Sequence, residues 1–517
     1  MTTDSRTTDV RESGMAQPVG HVEAAAPVAD PATTSASGPV SDKLPRAQRN
    51  VIALMLVAAF VVILNETVMS VALPVLQKDL GIGPSVGQWL TTAFMLTMAV
   101  VIPITGYLIQ RIQTKPLFLI SMSLFSAGTL LAMLSPGFGV LLLARVIQAS
   151  GTAIMMPLLM TTVLTLVPAR RRGQMMGNIS IVISVAPALG PTLSGFVLDH
   201  FGWRAIFGIV LPVALLALVL GAFWVVSVSK TNSAKIDLIS IPFAALGFGG
   251  LVYGLASIGQ SAEDGGPILP IWALFTIGGA ALLVFLGRQL FLQRRDRALL
   301  DLRVFRSPVF SVAMGAMLLA TLVMFGSFIL IPYFAQSVLG LEPLVTGLIT
   351  LPGGLLMGFA SPIIGRLYDR YRPQVLLIPG TLLISAGMWM LSAVSQNTEV
   401  WYLVVANILM SVGLASTFTP IMTAGLGAVP RNLYSHGSAV LNTFQQVSAA
   451  AGTALFVTVM SVGAATAAAG GAAAPAAVAF GVHSAFLVGA ILSVVLIVAI
   501  LFVRKPADAP EGAFVGH

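Results

Sequence analysis

The chain has 517 residues, of which 57% are hydrophobic and only 9% charged, with a mean hydropathy of +0.94. Soluble domains carry about 25% charged residues, and a soluble core cannot hide this much apolar surface, so the composition excludes a soluble globular protein. The formal charge of +8 does not argue for nucleic-acid binding, because the basic residues cluster in short loops between apolar runs, as topology signals do.

The absence of cysteine excludes disulfides, Cys-zinc sites and thiol chemistry. The five histidines, His21, His200, His436, His483 and His517, make no ligand pair at helical spacing, so no metal site is expected. No lysine follows a glycine, which removes the Walker A loop and direct ATP coupling. No nucleophile elbow stands out, so neither an enzyme nor a cofactor is expected.

Residues 1–45 are rich in Ala, Thr, Ser, Pro and Val and lack a basic start followed by an apolar stretch. They read as a disordered cytoplasmic tail and not as a signal peptide. Fourteen runs then reach the roughly 20 apolar residues that a membrane span needs. Their limits are 51–75, 88–109, 117–134, 139–167, 174–198, 205–228, 236–259, 270–292, 308–334, 345–367, 374–394, 400–429, 437–463 and 480–503. With the N-terminus inside, the inner loops hold Arg111 and Lys115, the Arg170 to Arg172 triplet, Lys230 and Lys235, and a cluster from Arg294 to Arg306. They continue with Arg366, Arg370 and Arg372, then Arg431, Arg504 and Lys505. The outer loops hold only Lys78 and Arg204 beside several acids. A missed helix would invert this pattern downstream, and no inversion appears, so both ends are placed in the cytoplasm.

The loop from Gly106 (GYLIQRIQTKPLFL) repeats in the one from Gly365 (GRLYDRYRPQVLL). Equivalent loops one half apart mark a transporter built by duplication. The predicted organisation is a six-helix half over 46–230, a two-helix insertion over 231–297, a second six-helix half over 298–505 and a cytoplasmic tail over 506–517. The stretch from Ala298 (ALLDLRVFRSP) reads as a short interfacial helix with its Leu and Phe on the inner leaflet. The Ala- and Gly-rich segment 464–479 reads as a flexible outer connector.

Glu66 stands out in the first span as the only acid at hydrocarbon depth. A carboxylate there is costly and by default functional. The fourth span carries Arg145, the only basic residue well inside a span, which either snorkels toward an outer face or turns to a central cavity and tunes Glu66. In the thirteenth span Asn442 shares a face with Gln445 and Gln446. They line a cavity or bond between helices. Phe94, Met95, Met155, Met156 and Phe418 are candidate pocket walls, since methionine and aromatic surfaces adapt to varied ligands, and Asn65 and Gln148 are candidate polar lining of the same cavity.

These features resemble the fourteen-helix drug:proton antiporter family of the major facilitator superfamily, close to its lincomycin-resistance-type branch, over roughly residues 45–505. ILNETVMSVALP, from Ile63, is similar to the family's span-one motif, in which many relatives carry the acid where this chain has Asn65. The shift of one residue turns the acid by about 100° around the helix. Arg145, Gln148 and Gly151 match the RxxxG-type motif of span four. APALGPTLSG resembles the antiporter motif of span five through Pro187, Gly190, Pro191 and Gly195, whose usual form has more glycines. The resemblance implies that this motif allows a bend and close helix approach, seals against proton leak and marks an exporter. The loop pattern departs from the superfamily's where Gln110 stands in place of an aspartate beside Arg111. Asp369, between Arg366 and Arg370, is therefore expected to carry more of the cytoplasmic lock.

The implied fold is an all-α polytopic membrane protein of the major facilitator type, with fourteen helices as 6 + 2 + 6 in two pseudo-symmetric halves. The implied function is export of a small amphipathic drug or antibiotic against proton entry, by alternating access, from a monomer in the bacterial cytoplasmic membrane. A proton crossing about 150 mV gains roughly 3.4 kcal/mol, enough to sustain about a 300-fold gradient of a neutral substrate. One membrane acid therefore favours neutral, zwitterionic or weakly basic substrates over dications. The same motifs would serve export of an endogenous lipid, peptide or metabolite. A non-transporting membrane sensor is the reading from another class, and the paired halves weigh against it.

Overall fold

The computed structural model describes residues 45–82, 84–227, 237, 239–258, 269–295 and 297–503. The tails expected over 1–45 and 506–517 lie outside these residues except for Pro45, as do Lys230, Lys235, Arg504 and Lys505. Among the described residues every regular element is helical, in fourteen α-helices. The first six are α1 (Arg46–Leu80), α2 (Pro84–Arg111), α3 (Thr114–Met133), α4 (Phe138–Leu166), α5 (Arg172–Phe201) and α6 (Trp203–Trp224). Two follow between the halves, α7 (Ser240–Ala256) and α8 (Ile271–Leu292). The last six are α9 (Pro308–Ser337), α10 (Pro343–Arg370), α11 (Pro373–Ser392), α12 (Val400–Gly427), α13 (Tyr434–Ala469) and α14 (Ala474–Ile500).

Thirteen of these helices are long and apolar enough to cross a bilayer, and α7 is the shorter one at 17 residues. At 1.5 Å per residue α7 spans roughly 26 Å, a little under a hydrocarbon core. Local chemistry sets the helix ends. Gly81 ends α1 in the left-handed region at φ 63°, its N–H bonding Gln77 O. Gly202, at φ 74°, separates α5 from α6. Ser307 caps α9 by accepting the Phe310 N–H, with Pro308 in the first turn.

Two expectations need correction. The segment 464–479 is not a connector: Ala464–Ala469 complete α13, Ala474–Ala479 open α14, and only Gly470–Ala473 lie between. Alanine has the best intrinsic helix propensity, so an Ala run beside a helix end extends it. The interfacial helix expected after Ala298 is a five-residue 3-10 turn, Leu302–Arg306, capped by Asp301. Leu299 and Leu300 are buried in protein instead of lying on the leaflet. Their N–H groups donate to Gln289 Oε1 at 2.8 and 3.3 Å.

The helices α1–α6 pack on one another, as do α9–α14. The seam between these halves is made by α5 against α10 and α12, and by α13 against α2 and α4. The inserted α7 packs on α8, α2 and α13.

Candidate functional site

One face of α1 is buried along its length through Ala58, Val62, Asn65, Met69, Ala72 and Leu76. Asn65 belongs to this face, is 1% exposed, and neither of its amide atoms has a hydrogen-bond partner. Glu66, one step around the helix, is half-exposed. The neighbouring Thr67 hydroxyl returns to Leu64 O at 3.0 Å. On the other side of that hydroxyl stands Gly190 of α5, where a Cβ would lie 2.3 Å from Thr67 Oγ1. One turn on, Ser194 Oγ donates to Val68 O at 3.1 Å. The predicted antiporter motif thus docks on α1 at the two residues that follow the acid. Gly195 meets nothing within 4 Å of its Cβ position, so close approach falls to Gly190 alone of the two. Pro187 and Pro191 lie within α5, which continues through both.

Arg145 does not snorkel. It is 1% exposed and among the largest fully buried side chains of the described residues. Its guanidinium lies 4.1 Å from the centre of the Phe94 ring, a cation–π contact. Its Nη1 donates to Gln148 Oε1 at 2.7 Å and its Nε to Leu90 O at 3.4 Å. Gln148 Nε2 donates to Thr129 Oγ1 at 2.9 Å, and Thr129 donates to Phe125 O at 2.7 Å. Thr129 spends its only proton on a carbonyl, so its lone pair must take the Gln148 amide, which turns the Gln148 oxygen to Arg145. The relay fixes the cation among α2, α3 and α4. Gly151 brings α3 and α4 together: a Cβ there would lie 2.5 Å from Ser121 O.

The expected cavity residues divide. Met95, Met156, Gln445 and Gln446 are half-exposed, like Glu66. Phe94, Gln148, Met155, Phe418, Asn442 and Asn65 are buried. Asn442 Nδ2 donates to Ser438 O of its own helix at 2.8 Å and lies 3.5 Å from Met160 Sδ of α4.

At one end of the seam α5 and α10 meet through small residues. A Cβ at Gly173 would lie 2.5 Å from Gly365 O, and one at Gly177 2.5 Å from Ser361 O. Asp369 accepts the backbone N–H groups of Gly173 and Gln174 at 2.9 and 3.0 Å. These are the second and third residues of α5, so a carboxylate from one half caps a helix of the other. Ser180 and Thr419 hydroxyls pair at 2.9 Å farther along. At the pseudo-equivalent place Gln110 Nε2 donates to Asn432 O at 3.1 Å, and Gly106 packs on Ala439 and His436. Arg111 and Arg370 are exposed at the ends of α2 and α10. The roles of Thr67, Thr129, Ser194, Ser180 and Thr419 were not legible in the sequence, because serine and threonine at helical spacing are commonplace in membrane helices.

Residues 55–453 match the family profile described as Major Facilitator Superfamily. The chain is 39% identical over 463 residues to the uncharacterized MFS-type transporter YcnB of Bacillus subtilis, covering 89% of this chain and 96% of that one. It is 37% identical over 460 residues to the lincomycin resistance protein LmrB of Listeria monocytogenes, covering 88% and 96%. Among solved structures it is similar to the proton:xylose symporter XylE, with a TM-score of 0.60 at 15% identity over 89% of this chain and 96% of that one. It is also similar to the human organic anion transporter MFSD10, with a TM-score of 0.61 at 14% identity over 88% and 100%. The chain therefore belongs to the major facilitator superfamily, on the branch that holds LmrB.

Proposed function

We propose that this protein is a proton-coupled exporter of neutral or weakly basic amphipathic compounds, lincosamide antibiotics among them, working by alternating access as a monomer in the bacterial cytoplasmic membrane with both termini inside. The observation that carries the reading is the placement of Glu66. Glu66 is a half-buried residue at mid-helix, it lies in the field of the buried Arg145, and the residue after it bears on Gly190. A proton gained or lost there changes the charge at the joint between α1 and α5, and α5 is also the helix that meets α10 across the seam. The two charge states of Glu66 then favour different arrangements of the halves, and substrate in the half-exposed region around Met95, Met156 and Gln445 moves against the proton. Kinship with a lincomycin resistance protein supports the substrate class. The test is pH-gradient-driven uptake of labelled lincomycin into inverted vesicles, wild type against Glu66→Gln. The expected result is loss of gradient-driven uptake in the variant, and unchanged coupled uptake would refute the assignment.

A further inference from the structure

His436 is a buried titratable side chain that the mechanism above does not use. It stands in the first turn of α13, 4% exposed, at the meeting of three parts of the chain. From the first half comes α2: the Cβ position of Gly106 is 3.2 Å from His436 Nδ1. From the segment leading into α9 come Leu299, whose backbone the ring hydrogen-bonds, and the charges of Asp301 and Arg303, which act on the ring electrostatically. Those two are paired with each other, Arg303 Nη2 to Asp301 Oδ2 at 2.6 Å. On α2 the titratable neighbours of Gly106 are Tyr107 and Arg111.

The hydrogen bonding fixes the tautomer. The Leu299 N–H is already given to Gln289 Oε1 at 2.8 Å, which leaves the Leu299 carbonyl to pair with the ring. A carbonyl only accepts, so the ring nitrogen facing it carries the proton. Nδ1 is then a bare lone pair, and it is buried with no donor. An uncompensated buried acceptor is unfavourable, and a second proton on the ring would turn Nδ1 into a donor pointed at Gly106, which has no side chain to accept it. Parting of α2 from α13 removes that wall and admits water to Nδ1, with the Asp301 carboxylate close by.

Resting on the alternating-access reading, we propose that His436 is a second proton-binding site of this transporter, shut while α2 touches α13 and open when they separate. It loads and unloads from the same side of the membrane, so it adds nothing to the number of protons carried. By linkage, a proton that binds only the open arrangement favours that arrangement. Acid on that side would hold the seam apart.

The chain has no cysteine, which makes a clean lock feasible. Thr161 Oγ1 and Ser438 Oγ lie 3.3 Å apart across the same seam. Thr161→Cys with Ser438→Cys, joined directly or by a short bis-thiosulfonate cross-linker, holds α4 on α13. The ring nitrogens of histidine-labelled full-length protein are followed by 15N NMR over roughly pH 5 to 8, with the His436 signal assigned by its loss in His436→Gln. The expected result is a His436 signal that titrates in the reduced protein, stays constant when locked, and titrates again on reduction. Equal titration in both forms, or none in the reduced form, would overturn the proposal. The readout needs no substrate and is repeated in Glu66→Gln, so failure of the Glu66 assignment and failure of this inference give different results.

Discussion

Asp369 accepts the backbone N–H of Gly173 at 2.9 Å, joining the last turn of α10 to the first turn of α5. The contact sets a negative charge on the positive end of a helix dipole and satisfies N–H groups that the helix itself cannot. Asp369→Asn keeps an acceptor but loses the charge. We expect it to weaken this end of the seam by about 1 kcal/mol. Gly173→Ala is expected to be worse, because the new methyl would lie 2.5 Å from both Asp369 Oδ1 and Gly365 O. The measurement is the rate of thiol labelling at a cysteine introduced at Ser361, which should rise in both variants. Unchanged labelling would show that Asp369 does not hold the seam.

At the pseudo-equivalent position the chemistry is reversed, since Gln110 donates to a carbonyl. Restoring an aspartate by Gln110→Asp would set an acceptor against an acceptor. The expected outcome is a loss of roughly 1–3 kcal/mol in detergent stability, the order of an unsatisfied polar pair, read as a lower melting temperature. A more stable variant would mean that Asp at 110 finds the first N–H groups of α13 instead.

Gly190→Ala should abolish transport while leaving the protein in the membrane. The methyl would lie 2.3 Å from Thr67 Oγ1, and overpacking of this kind costs about 1–3 kcal/mol. Thr67→Ala removes that oxygen and should restore part of the lost transport, although Thr67 Cβ remains 3.1 Å away. Absence of any coupling between the two substitutions in a double-mutant cycle would sever Gly190 from the acid's neighbour.

Arg145→Lys retains the charge but loses the planar group over Phe94 and the fixed fork to Gln148. We expect at least tenfold slower gradient-driven transport, with stability lowered by about 1–3 kcal/mol. Wild-type transport in this variant would reduce the role of Arg145 to its charge alone.

Acid should loosen the inserted helices first. Arg288 donates to both Asp237 oxygens at 2.7 Å, and these bonds hold the Asp237 carboxyl below its ordinary value of 3.8. A depressed carboxylate contributes stability above its unfolded value and loses it as pH falls through the folded one. Melting temperature should therefore drop below about pH 4, and Asp237→Asn should lie lower at neutral pH with a flatter acid limb.

The helices were legible because a bilayer demands apolar length, and Glu66 was legible because an acid at that depth is expensive. Side-chain direction was harder. Asn65 and Glu66 are adjacent, and hydropathy says only that they point about 100° apart; which of them is packed away depends on the neighbours of α1. The same holds for Gly190 and Gly195, five residues apart, of which only the first meets a partner. Segment 464–479 was misread because loop-like composition and helix propensity conflict in alanine, and the adjoining helices decided the outcome. The Asp369 cap needed a partner some 195 residues away, which no local pattern encodes.

The inserted pair is tied by hydrogen bonds to the segment leading into α9 and packs through α7 on α2 and α13. Gln289 ties α8 to Leu299 and Leu300, and through Ser240 at 2.9 Å to α7. Against α2, the inserted pair sets the Trp89–Tyr253 stack at 5.4 Å and the bare surface of Gly249 under Leu96. Any rocking of α2 against α13 must shear that greasy bearing while the amide rivet at Gln289 stays intact. On the alternating-access reading proposed above, the moving bodies would be six helices against eight, with the extra pair as an outrigger bearing on α2.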